Sequence, residues 1–252
     1  MSNPSPWPPE RRAGSRACRA ALSVALLLAP LPVGAVTVGE LHVEDPVAAA
    51  TIDEPTLVRQ LPPVLFVGTS RATEWLLDRS EITAVMARHL HPPLERYQVI
   101  PTAEGRFDVS DHGPFQGTLR LVTRKPDRRL YLCEAQFRPS GLFFQFSGRI
   151  AFYLEYRELP AQAGEPQMEI VPKLYARLEN VFAHALFKLI GPLFADAIDR
   201  RTASLVAAIQ VVSRRVILDP AGLYAEMRTW SDLRPEELEA YRLAFLPKPS
   251  SP

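Results

Sequence analysis

The chain has 252 residues, 47% of them hydrophobic, and carries 29 Lys+Arg against 28 Asp+Glu. That length supports one medium domain with appendages around a sizeable core, and the apolar content excludes disorder throughout. A formal charge of +1 excludes the global basic field that sequence-independent nucleic-acid binding needs.

Residues 1–35 read as a secretory signal peptide. Arg11, Arg12, Arg16 and Arg19 face a single acid, Glu10. The apolar run Ala20–Ala29 follows, and Val33 and Ala35 are small residues at the −3 and −1 positions of a cleavage site. The run is too short to span a bilayer comfortably, so export to a bacterial periplasm is expected, with an uncleaved anchor in the inner membrane as the alternative. Without residues 1–35, 25 basic and 27 acidic groups remain, a net charge of −2. Cys133 is then the one cysteine left, so no intramolecular disulfide is available. It sits in the strand-like run Leu130–Cys133, as a buried hydrophobe would.

Residues 36–62 show no sustained period and are expected to be an extended lead-in with at most one short edge strand. Val64–Val67 is a candidate first strand. Ala72–Asp78 and a helix starting at Ser80 follow, with Ser80 as N-cap and Ile82, Val85, Met86 and Leu90 on one face. Pro92-Pro93 ends it. The chain then turns to sheet. Tyr97–Ile100 and Arg106–Val109 are short strands, Phe115–Arg124 alternates, and Lys125-Pro126-Asp127 turns into Arg129–Arg138. In Leu142–Arg157, Phe144, Phe146, Ile150, Phe152, Leu154 and Tyr156 share a face, and Gln145, Ser147, Arg149, Glu155 and Arg157 share the other. That period of two predicts a long, half-buried antiparallel strand, with Gly148 permitting a bend or bulge. Met168–Leu178 repeats the pattern. From Asn180 the period becomes that of a helix running to about Leu218, interrupted at Gly191-Pro192. It is apolar over Val181–Ile190 and amphipathic beyond. Asp219-Pro220 starts a short helix through Met227, and Pro235–Phe245 is another.

Short helices, several long antiparallel strands and one long C-terminal helix, in that order over Val64–Leu218, resemble the START-like helix-grip superfamily of lipid-transfer domains, polyketide cyclases and quinone-binding proteins. The resemblance implies an α+β fold: a curved antiparallel sheet gripping the long helix over residues 63–218. The chain departs from it in a short first strand and in the Pro220–Phe245 helices, which make 219–252 a short helical extension past the usual end and suggest a lid or a partner-binding appendage. The resemblance also implies a cavity between sheet and helix that takes a lipid or other hydrophobic small molecule. Leu119, Leu121, Phe144, Phe146, Ile150, Phe152, His184, Ile190 and Phe194 would line it.

The chemistry-bearing residues give little more. His89-Leu90-His91 has the wrong spacing to place two rings on one helical face, so no metal is expected there. Asp108–Gly113 reads as a turn. No Walker, Gly-x-Ser-x-Gly or dinucleotide loop occurs, and no cofactor is implied. His184 and Glu134 are the residues an enzyme on this fold, cyclase- or hydrolase-like, would place in the cavity. Arg200-Arg201 and Arg214-Arg215 read as a solvated helix face, or as a contact with anionic lipid headgroups at a membrane surface. An envelope-assembly factor docking through Val181–Ile190 and the tail helices is the remaining alternative.

Overall fold

The computed structural model describes residues 43–113, 115–138, 145–179 and 204–247. Its centre is an antiparallel sheet, eight-stranded among the described residues. The strands are β1 (Leu57–Gln60), β2 (Val64–Val67), β3 (Gln98–Ala103), β4 (Arg106–Ser110), β5 (Phe115–Lys125), β6 (Arg128–Phe137), β7 (Phe146–Gln162) and β8 (Glu165–Leu178). From β3 to β8 they form a meander, and β1 and β2 both pair with β8, at successive stretches of it. This is the α+β class expected, with helices between the edge strands and the meander and again at the C-terminal end.

The helices are α1 (Pro46–Asp53), α2 (Ser70–Asp78), α3 (Ser80–Leu90), α4 (204–218), α5 (Pro220–Met227) and α6 (Pro235–Phe245). One face of the sheet, the inner face, meets α2 and α4. Val64, Phe66, Tyr156, Met168 and Ile170 form a buried cluster there, packed by Leu77 of α2 and by Val206 and Ile209 of α4. Two side chains of α4 also bond β2 carbonyls. Gln210 Nε2 donates to Leu65 O at 3.0 Å, and Ser213 Oγ to Val67 O at 2.7 Å.

Four local expectations need correction. The lead-in contains α1 as well as the edge strand β1. Asp45 caps α1, accepting from Val47 N and Ala48 N, and Pro46 suits its first turn. Short length and weak apolar periodicity hid this helix. It also alters β7, whose outward face is not solvated throughout. Ala151 and Tyr153 are buried, as are their neighbours Leu132 and Tyr175. α1 lies over this face, with Ala48 fully buried, Asp45 bonded to Arg120 at 2.6 Å and Arg177 donating to Ala50 O at 2.8 Å.

Ser80 is not a cap. It is the first residue of α3, and its hydroxyl donates back to Leu77 O at 2.8 Å. Gly148 marks no bulge either, since β7 runs through it in unbroken register with Ala135 and Leu178. A Cβ there would come within 2.8 Å of Arg177 O, so glycine allows close approach of two backbones. The irregularity lies instead at Leu159/Gln162, beside the β7–β8 turn.

Finally, α5 and α6 are part of the core. Leu223, Met227, Leu233 and Tyr241 are buried with Leu76 of α2, Ile82 and Met86 of α3, and Val212 and Val216 of α4. Tyr241 packs among Trp75 and Phe245, with ring centroids 6.0 and 5.0 Å away. Asp219 caps α5 as its sequence predicts, accepting from Gly222 N at 3.0 Å. A segment so deeply interdigitated cannot lift away as a lid without opening the helical core.

Candidate functional site

The inner face is built by strand register. Phe107, Leu119, Cys133, Ile150 and Ala176 stand opposite one another across β4 to β8. One step along, Leu121, Tyr131, Phe152 and Leu174 form a second row. Side chains two apart in a strand share a face, so the two rows are adjacent and together make an apolar platform.

The platform is unevenly covered. Tyr131, Cys133 and Leu174 are buried, whereas Leu119, Leu121, Ile150 and Phe152 are half-buried. Tyr131 is anchored to α2 by its hydroxyl, which donates to Leu77 O at 2.8 Å, and burial raises its pKa. Burial also pushes the Cys133 thiol up to about 12, so it stays protonated and is no nucleophile.

Beyond the rows the same face carries a buried charge. Arg129, 2% exposed, bonds Asp78 through Nε at 2.8 Å and Nη2 at 3.2 Å, and the hydroxyl of Tyr156 through Nη1 at 2.7 Å. Its Nη1 also meets Lys125 O. This network closes the β5–β6 hairpin against the end of α2. Further along, between Phe66, Thr73, Leu76, Ile170 and Val212, the sheet and helices leave a cavity of about 40 Å³. That is far below the roughly 300 Å³ at which small-molecule sites begin, so this end is packed.

Of the residues expected to line a cavity, Leu119, Leu121, Ile150 and Phe152 come together on the platform. Phe146 stands in β7 opposite Phe137. Phe144, His184, Ile190 and Phe194 lie outside the described residues, as does Arg200-Arg201. Glu134 is exposed on the opposite, outer face, across from Arg149, which removes it from any sheet–helix cavity. The odd–even parity of β6 carried that information, because Cys133 and Glu134 must face opposite ways.

Other candidates resolve into structural contacts. His89 Nε2 meets Asp232 Oδ1 at 2.9 Å, and its ring stacks on Trp230 at 4.1 Å. Asp111 Oδ1 accepts from Gly113 N and Phe115 N, which makes the expected turn. Arg214 pairs with Glu165 at 3.1 Å, and Arg215 with Asp219 at 3.0 Å and with Glu226. These two arginines are therefore engaged within the protein. Arg129, buried and central, is the residue sequence reasoning missed, because nothing in Arg128-Arg129 distinguishes the member that turns inward.

No family model matches the chain, and no curated protein matches it. Two solved structures illustrate the level of likeness. A conserved protein from Geobacillus kaustophilus aligns with a TM-score of 0.39 and 9% identity, over 58% of this chain and 91% of its own. Ara h 8.0201 aligns with a TM-score of 0.36 and 9% identity, over 61% of this chain and 96% of its own. Similarity this low says nothing about ligand or activity.

Proposed function

We propose that this is an exported, START-like binding protein that holds a lipid or other hydrophobic small molecule against the inner face of its sheet. One observation carries the reading. Leu119, Leu121, Ile150 and Phe152 form a contiguous apolar platform that is half-covered, while the neighbouring stretch of the same face at Tyr156, Met168 and Ile170 is fully buried. A protein gains stability by covering such a platform, at about 25 cal/mol per Å² of apolar area, and a bound apolar molecule supplies that cover. The signal-like pattern of residues 1–35 supports export.

Native mass spectrometry of protein isolated from its own host is the direct test. Expected is a mass excess that organic solvent extracts, together with weaker retention in Phe152→Ala. Ligand-free protein that also fails to bind fatty acids or an apolar fluorophore would overturn the reading. Fractionation with N-terminal sequencing tests export: a periplasmic chain beginning at Val36 is expected, and a cytoplasmic chain with Met1 intact counts against it.

A further inference from the structure

We propose that the contact between the first turns of α3 and α6 is a pH-sensitive latch, closed by protonation of Glu81 and loosened by its ionisation. Two acids lie close together there, out of water. Glu81 in the first turn of α3 and Glu237 in the first turn of α6 are each 8% exposed. The contact is also part of the helical core. Ile82, next to Glu81, is buried in one cluster with Leu233 and Tyr241, and Leu238 packs against that cluster.

The nearby cations serve the two acids unequally. Arg234 is committed to Glu237, donating from its backbone N at 2.8 Å, from Nε at 3.0 Å and from Nη2 at 2.6 Å. Its Nη1 lies 3.3 Å from Glu236. Glu81 is left with Arg79, whose Nη1 stands 4.0 Å away on a side chain 54% exposed; this is its one ion pair among the described residues. A buried carboxylate held so loosely beside a second carboxylate is costly when ionised, and a proton removes the cost. Burial, with the charge of Glu237 adding to it, raises the Glu81 carboxyl above the ordinary glutamate value, against its own backbone N–H, Arg79 and Arg234.

Other contacts keep α6 in place when Glu81 ionises. Arg88 and His89, at the far end of α3, hold Asp232 in the loop before α6 at 2.7 and 2.9 Å. Arg71 of α2 donates to Ala244 O, at the far end of α6, at 3.1 Å. The latch therefore sets how often the helical core opens and does not release a lid. A folded-state pKa above the unfolded one means stability that is fully present below the unfolded value and is lost as pH rises through the folded value. The loss begins near the ordinary glutamate value of 4.5, so this contact is tighter in mild acid than at neutral pH.

Thermal melts of the full chain and its Glu81→Gln variant at about pH 4 and pH 7.5 test this, because glutamine keeps the shape of the protonated acid without its titration. At the higher pH the variant should melt about 3 °C above wild type, and at the lower pH the two should coincide. Hydrogen exchange of the α6 amides, corrected for the intrinsic effect of pH, should show wild type losing protection relative to the variant as pH rises. A variant no more stable than wild type at the higher pH overturns the proposal. So does an equal gain at both pH values, or α6 protection that changes with pH in the same way in both proteins.

Discussion

Arg129 and Asp78 meet through a two-pronged contact, Nε to Oδ1 at 2.8 Å and Nη2 to Oδ2 at 3.2 Å, with the arginine 2% exposed and the aspartate at the end of α2. A buried guanidinium is tolerable only when its donors find acceptors, and Tyr156 and the carbonyls of Lys125 and Arg128 all meet Nη1. Arg129→Met is expected to cost about 3–5 kcal/mol, because it strands Asp78 beside the looser Arg124 at 3.4 Å. Arg129→Lys should recover only part of this, since an ammonium cannot reproduce the fork. Urea unfolding of the three proteins measures both.

The β7–β8 turn is built from Ala163 at φ 52 and Gly164 at φ 82. Two successive left-handed residues suit the twist of a two-residue hairpin, but alanine is strained there and glycine is not. Ala163→Gly should stabilise the protein by about 1 kcal/mol, and Gly164→Ala should destabilise it by a similar amount. The shift in denaturation midpoint gives the sign.

Asp45 links pH to α1. The hydrogen bond from Arg120, followed by those from Ala48 N and Val47 N, holds its pKa below the ordinary aspartate range in spite of partial burial. A folded-state pKa below the unfolded one means stability that is fully present above the unfolded value and is lost as pH falls through the folded value. Wild type should therefore lose stability as pH drops below about 4. Asp45→Asn should be less stable at neutral pH and show a shallower acid decline. Thermal melts from pH 7 to pH 2 make the comparison.

Met227 tests whether the C-terminal helices belong to the core. It is fully buried, whereas Leu243 on α6 is 59% exposed. Met227→Ala should cost about 2–5 kcal/mol, and Leu243→Ala should stay within about 0.5 kcal/mol. Equal small effects in chemical denaturation would mean that α5 and α6 dock loosely.

Cys133, 1% exposed and with its thiol pushed up to about 12, should resist a thiol-specific reagent such as DTNB at neutral pH. Labelling is expected only as fast as the protein opens, and should become immediate in denaturant.

How much of this was legible beforehand depends on the range of the interaction. β5 to β8 were readable because their side chains alternate between two environments every residue, and Phe115–Arg124 and Met168–Leu178 keep that alternation. α1 was not, because eight residues with two buried positions carry little periodicity. The platform was readable as a face: Leu119, Leu121, Ile150 and Phe152 follow from parity once the strands are paired. Its neighbours Tyr131 and Arg129 were not, since their partners Leu77 and Asp78 lie more than 50 residues away.

The amino-acid sequence by itself determined the class of the fold, the sheet-then-helix order and which residues share a face, because these depend on periodicities of two and 3.6 within a few residues. Only the tertiary structure decided which faces are covered. It placed α1 over the outer face of β7, sealed Arg129 against Asp78, and set α5 and α6 into the helical core. Each of those outcomes depends on segments far apart in the chain meeting in space, and on burial that no local pattern records.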